Sequence, residues 1–84
     1  MITSTFTATP NGLLTDFTTT VSAGFTKCGA HIATLQSSGR NFFCCNYCYL
    51  DGTTLHVGVQ DCQSGSLNPV DGSFGDFVIT YWLD

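Results

Sequence analysis

Apolar and polar residues alternate along most of this chain with a period of two, the pattern of strands that bury one face and wet the other. Runs of Val, Ile, Thr, Phe and Tyr are punctuated by Gly, Pro, Asn and Asp, and helix signals are nearly absent. The pattern predicts six strands, at about 2–9, 13–21, 30–36, 42–50, 53–61 and 74–83. Turn signals stand between them at Pro10-Asn11-Gly12, Ala23-Gly24, Ser37-Ser38-Gly39 and Asp51-Gly52, with a Ser/Gly/Asn-rich loop over 63–72. Short strands at near-regular spacing predict an all-β fold, a six-stranded antiparallel β-sandwich, in one domain over 1–84. Residues 1–12 also read as an N-terminal arm or a strand exchanged with a neighbour.

Asp51-Gly52 is a strong hairpin signal, with both turn residues expected at positive φ. A two-residue turn there pairs Leu50 with Thr53, Cys48 with Leu55, Asn46 with Val57 and Cys44 with Val59. One face then carries Phe42, Cys44, Cys48, Leu50, Leu55, Val57 and Val59, a core face broken only by Asn46. The other carries Phe43, Cys45, Tyr47 and Tyr49 beside His56, which is set opposite Tyr47. A solvent face with three aromatics reads either as a partner surface or as a face covered by a further strand or the N-terminal arm. On the first reading Phe43, Cys45, Tyr47, Tyr49 and His56 are the expected oligomer interface. In the last strand Phe77, Ile79, Tyr81 and Leu83 share the core face, and Val78, Thr80 and Trp82 face away.

Length and charge narrow the function. An 84-residue chain buries a limited core, so assembly with further copies is expected to help it. Charged residues make up 10%, against roughly 25% in average domains, with Lys27 and Arg40 the only cations. The net charge of −4 argues against nucleic acid and against anionic membranes, both of which require basic residues. No run approaches the roughly 18 apolar residues of a membrane span, and the N-terminus carries no secretory signal pattern. Many hydroxyls and few charges suit a virion or extracellular surface.

Candidate chemistry is sparse. Cys44-Cys45-x-x-Cys48 contains a zinc-knuckle spacing, but on a strand Cys44 and Cys48 stand about 13 Å apart and Cys45 faces the other way. No metal or cofactor is expected there. With five cysteines, a Cys28–Cys62 disulfide is open to the sequence, as is a leftover thiol. His31 and His56 read as structural, and Asp51 and Asp71 as turn residues. Asp61 and Asp76, which flank the long loop, have no such explanation and could accept hydrogen bonds from sugar hydroxyls or ligate calcium, while Asp16 stands among the carboxylates without a role of its own. Without a nucleophile elbow, phosphate loop or His-Glu-x-x-His motif, the chain is expected not to be an enzyme.

The segments Ala30-His31-Ile32-Ala33-Thr34-Leu35, Leu55-His56-Val57-Gly58-Val59-Gln60-Asp61 and the closing Gly72-Ser73-Phe74-Gly75-Asp76-Phe77-Val78-Ile79-Thr80-Tyr81-Trp82 carry a resemblance. Together they resemble H-type lectin-like domains and the C-terminal receptor-binding domains of bacteriophage tail fibres, over about 24–83. The resemblance implies a trimer with carbohydrate ligands at subunit grooves or loop tips. The cysteine density departs from that pattern. An expected sugar site combines Trp82 or Tyr47 as a stacking platform with Asp61, Asn68, Arg40 and Asp76 as polar partners. The expected function is non-enzymatic display on a virion appendage, with carbohydrate or other virion proteins as partners. A capsid-decoration or filament subunit without a ligand is the alternative, and a small Cys/His metal-binding protein the third class.

Overall fold

β-branched and aromatic runs form strands because their side chains pack on a pleated, half-buried surface. The structure is a computed structural model that describes residues 1–10, 15–32, 43–61 and 76–84, with the backbone alone at Phe43 and Asp61. It contains β1 (Ile2–Ala8), β2 (Asp16–Thr20), β3 (Cys28–Ile32), β4 (Phe43–Asp51), β5 (Thr54–Asp61) and β6 (Phe77–Leu83). No helix occurs among the described residues. The strands form two three-stranded antiparallel sheets, ordered β1-β6-β3 and β2-β5-β4. β1 pairs along its whole length with β6 of the same chain, from Ile2 opposite Leu83 to Ala8 opposite Phe77.

The two central strands hold most of the core. β6 buries Phe77, Ile79, Tyr81 and Leu83, the face its alternation predicts, and β5 buries Leu55, Val57 and Val59. These residues join Ala8, Phe17 and Val21 in one cluster that draws on both sheets. Phe17 of β2 meets Phe77 of β6 edge-on, with ring centroids 5.5 Å apart, the arrangement that sets ring edge against ring face. Backbone bonds continue the pairing past the strand ends, Val21 N to Thr53 O at 2.8 Å and Val59 N to Thr15 O at 2.9 Å.

The β4–β5 hairpin departs from its expected register. Asp51 pairs with Thr54 and Leu50 with Leu55, so the two-residue loop is Gly52-Thr53. Only Gly52 takes positive φ, at 62°, which matches the turn with glycine at its first central position. From Tyr47 to Leu50 the shift moves each β4 residue two places along β5, and a shift of two preserves the faces. Leu50 and Cys48 therefore still face the core.

A β-bulge then changes the faces beyond Tyr47. Cys45 pairs with Val59 and Tyr47 with Gly58, leaving Asn46 as the extra residue. Asn46 is exposed and its Nδ2 donates to Gln60 Oε1 at 2.7 Å. The polar break expected in the core stripe is thus expelled from the ladder. Cys45, expected on the outer interface, instead packs against the core. Cys44, expected in the core, pairs with Gln60 and points its thiol at the Gln60 carbonyl, 3.7 Å away.

Candidate functional site

The outer face of the β2-β5-β4 sheet gathers polar and aromatic groups in two adjacent rows. In the first, Asp16 of β2, Gly58 of β5 and Tyr47 of β4 are neighbours across the sheet. Gly58 presents no side chain, so the Tyr47 ring lies across the middle strand. A Cβ at position 58 would stand 2.1 Å from Tyr47 Cε2. The Tyr47 hydroxyl thereby reaches Asp16 and donates to its Oδ1 at 2.6 Å.

The second row is Thr18, His56 and Tyr49. His56 stacks on Tyr49, with centroids 4.5 Å apart and planes 4° from parallel. Its Nδ1 lies 2.8 Å from Asp16 Oδ2. One carboxylate thus takes Tyr47 on one oxygen and His56 on the other. Donation from Nδ1 leaves Nε2 of a neutral imidazole as an acceptor, and among the described residues Asp16 is the only group bonded to this ring. Tyr47 and Tyr49 lie side by side, 5.8 Å between centroids, and remain 37% and 49% exposed.

This arrangement fixes the ring positions. Among the described residues the Asp16–His56 contact orients the imidazole, and no hydroxyl or thiol is bonded to it. A rigid aromatic plane edged by a carboxylate and an imidazole suits stacking with polar readout at the rim. No three His, Cys, Asp or Glu side chains converge among the described residues.

The Tyr47 phenol is pushed up to about 12, first by burial, then by its hydrogen bond to Asp16, then by the negative charges of Asp16 and Tyr49. The folded phenol holds its proton to higher pH than an unfolded one, which ionises near 10. Its stabilising contribution is complete below about pH 10 and is lost as pH rises through about 12. Absorbance titration of tyrosinate in the folded chain should show one tyrosine ionising near pH 12, and Asp16→Ala should bring it down. An unmoved titration in the variant would separate Tyr47 from Asp16.

Of the residues expected at a sugar site, the described Tyr47 and Trp82 lie on different sheets. Tyr47 lies in this patch, but Trp82 belongs to the other sheet, where it pairs with Thr3 and Gly29. Its indole covers Gly29 and is 37% exposed. Asp76 is exposed just before β6, and Asp61 pairs by its backbone with Phe43 at the end of the hairpin. Arg40, Asn68, Cys62, Asp71 and Phe42 lie outside the described residues, as do the side chains of Phe43 and Asp61.

Sequence reasoning singled out Tyr47, Tyr49 and His56 but set His56 opposite Tyr47, whereas its partner across the ladder is Tyr49. Asp16, the group that ties the patch together, was one aspartate among several. Its signal was a charge inside a Thr-rich strand. Compared with known proteins, the chain matches no family model, no curated protein and no solved structure.

Proposed function

We propose that this chain is a non-enzymatic display module, a β-sandwich assembled as a trimer on a virion appendage or another extracellular surface, that binds carbohydrate. The recognition surface is the outer face of β2-β5-β4, with Tyr49 and His56 as the stacking plane and Tyr47 and Asp16 as its polar rim. The observation that carries this reading is the stack of exposed Tyr49 on half-buried His56, anchored by Asp16. Rigid rings bind at low entropic cost, and the apolar side of a sugar ring packs on such a plane while its hydroxyls meet polar groups at the rim. A single core drawn from both sheets supports the sandwich arrangement. The exposed aromatics support assembly or binding over a bare solvated face.

A glycan array probed with the purified chain tests the reading, read beside native mass spectrometry. A discrete trimer that retains particular glycans, and loses about tenfold or more in affinity on Tyr49→Ala, is the expected result. A monomer that retains none sinks it.

One observation favours a second reading, a structural subunit of an open-ended assembly. Among the described residues β1 is an edge strand of its sheet, and it carries Ile2, 47% exposed. An unprotected edge is a template for strand addition from another chain. Under that reading the mass distribution has no closed end and shifts upward with concentration.

A further inference from the structure

We propose that Cys28 and Cys48 form a redox-active pair that closes a disulfide between the two sheets. Cys28 opens β3, at one edge of β1-β6-β3, and Cys48 lies in β4, at one edge of β2-β5-β4. Both side chains are half-buried and pack against the shared core. Their sulfurs are 3.5 Å apart, with the Cys48 thiol donating to Cys28 Sγ. A disulfide requires about 2.05 Å between sulfurs, so the bond needs an approach of about 1.5 Å, within reach of small side-chain rotations.

The other thiols fit this role less well. Cys45 faces the core beside Val59, and Cys44 is turned by the bulge toward the Gln60 carbonyl. Within β4 the strand rise holds neighbouring thiols apart. The pair at 3.5 Å is brought together by tertiary structure, from positions 20 apart in the chain.

The hydrogen bond also sets the order of the chemistry. Cys48 holds its proton well above the ordinary thiol range because it is buried, bonded to Cys28 and near the charges of Cys28 and Cys45. Cys28 accepts the hydrogen bond of the Cys48 thiol, so in the proposed sequence its sulfur attacks first. As a thiolate it displaces one thiol from a low-molecular-weight disulfide, oxidised glutathione being the probe, and forms a mixed disulfide. Cys48 then releases its proton to water and attacks Cys28 Sγ, expelling the second glutathione as thiol. Two protein thiols are oxidised by two electrons, and one glutathione disulfide is reduced to two thiols.

Oxidation of the purified chain with oxidised glutathione, followed by intact mass and peptide mapping, tests the proposal. The expected product is lighter by about 2 Da, the loss of two hydrogens, and carries no glutathione. Cleavage after Lys27 releases a peptide that begins at Cys28, and chymotryptic cleavage after Tyr47 and Tyr49 releases Cys48, so the linked pair is identified directly. Cys28→Ser and Cys48→Ser each abolish the link, and Cys62→Ser retains it. The oxidised chain melts higher by roughly 10 °C or more, because the bridge restricts the unfolded chain. A link from Cys28 to Cys62, a product that stops at the glutathione adduct, or a lower melting temperature overturns the proposal. Mapping the unmodified sequence settles the pairing even if a serine variant fails to fold.

Discussion

Ile79→Ala is expected to cost about 2–5 kcal/mol of folding stability, the range for deleting buried branched side chains. Ile79 is fully buried at the middle of β6, the central strand of its sheet. It stands in a row with Phe6 of β1 on one side and Ile32 of β3 on the other. Three side-chain carbons, a methylene and two methyls, vanish on truncation, and neighbours held by two ladders of backbone hydrogen bonds close the gap only in part. A domain of this length has roughly 4–13 kcal/mol in total, so the variant loses a large fraction of it. Urea unfolding reads the change as a lower midpoint with an unchanged slope. A loss below about 1 kcal/mol would mean that β6 is not the centre of the core.

Gly58→Ala is expected to act on the aromatic patch and on stability together. The new methyl would stand 2.1 Å from Tyr47 Cε2 and 2.4 Å from Asn46 Oδ1, closer than atoms approach. Tyr47 is partly exposed, so its ring can swing away, but in doing so it abandons Asp16. Overpacking of this kind costs about 1–3 kcal/mol. The titration of Tyr47 should fall from about 12 toward the ordinary value near 10. Gly29→Ala is the matched control, since it crowds Trp82 in the other sheet and leaves Tyr47 in place. Equal shifts of the Tyr47 titration in both variants would show a general loosening of the fold and remove Gly58 from its assigned part.

Much of this architecture is legible in the pattern of residues. All six strands overlap the runs that apolar alternation predicts, β3 beginning two residues earlier at Cys28, and Phe77, Ile79, Tyr81 and Leu83 share the inward face of β6. The hairpin register is off by one loop position, yet Leu50, Cys48, Leu55 and Val57 keep their faces, because the error moves partners by two. The bulge leaves one trace in the sequence, a polar Asn46 inside an apolar stripe. That trace is ambiguous without the structure, since a bulge changes which of Cys44 and Cys45 turns inward. The meeting of Asp16 with His56, and of Cys28 with Cys48, depends on which strands lie side by side. Local pattern decides which face a residue takes but not which strand it meets.

Two glycines lying under aromatic rings, Gly58 beneath Tyr47 and Gly29 beneath Trp82, impose a direction on how this sequence can diverge. Each ring occupies the space a methyl group would need, so neither glycine can gain a side chain while its ring is in place. The reverse step is open, because trading the ring for a smaller residue leaves the glycine merely uncovered. Divergence at these pairs therefore has a favoured order, aromatic first and glycine second. A lineage that has taken both steps regains the ring in its present pose only after the glycine returns. Each pair behaves as a ratchet, and the two pairs, lying in separate sheets, turn independently.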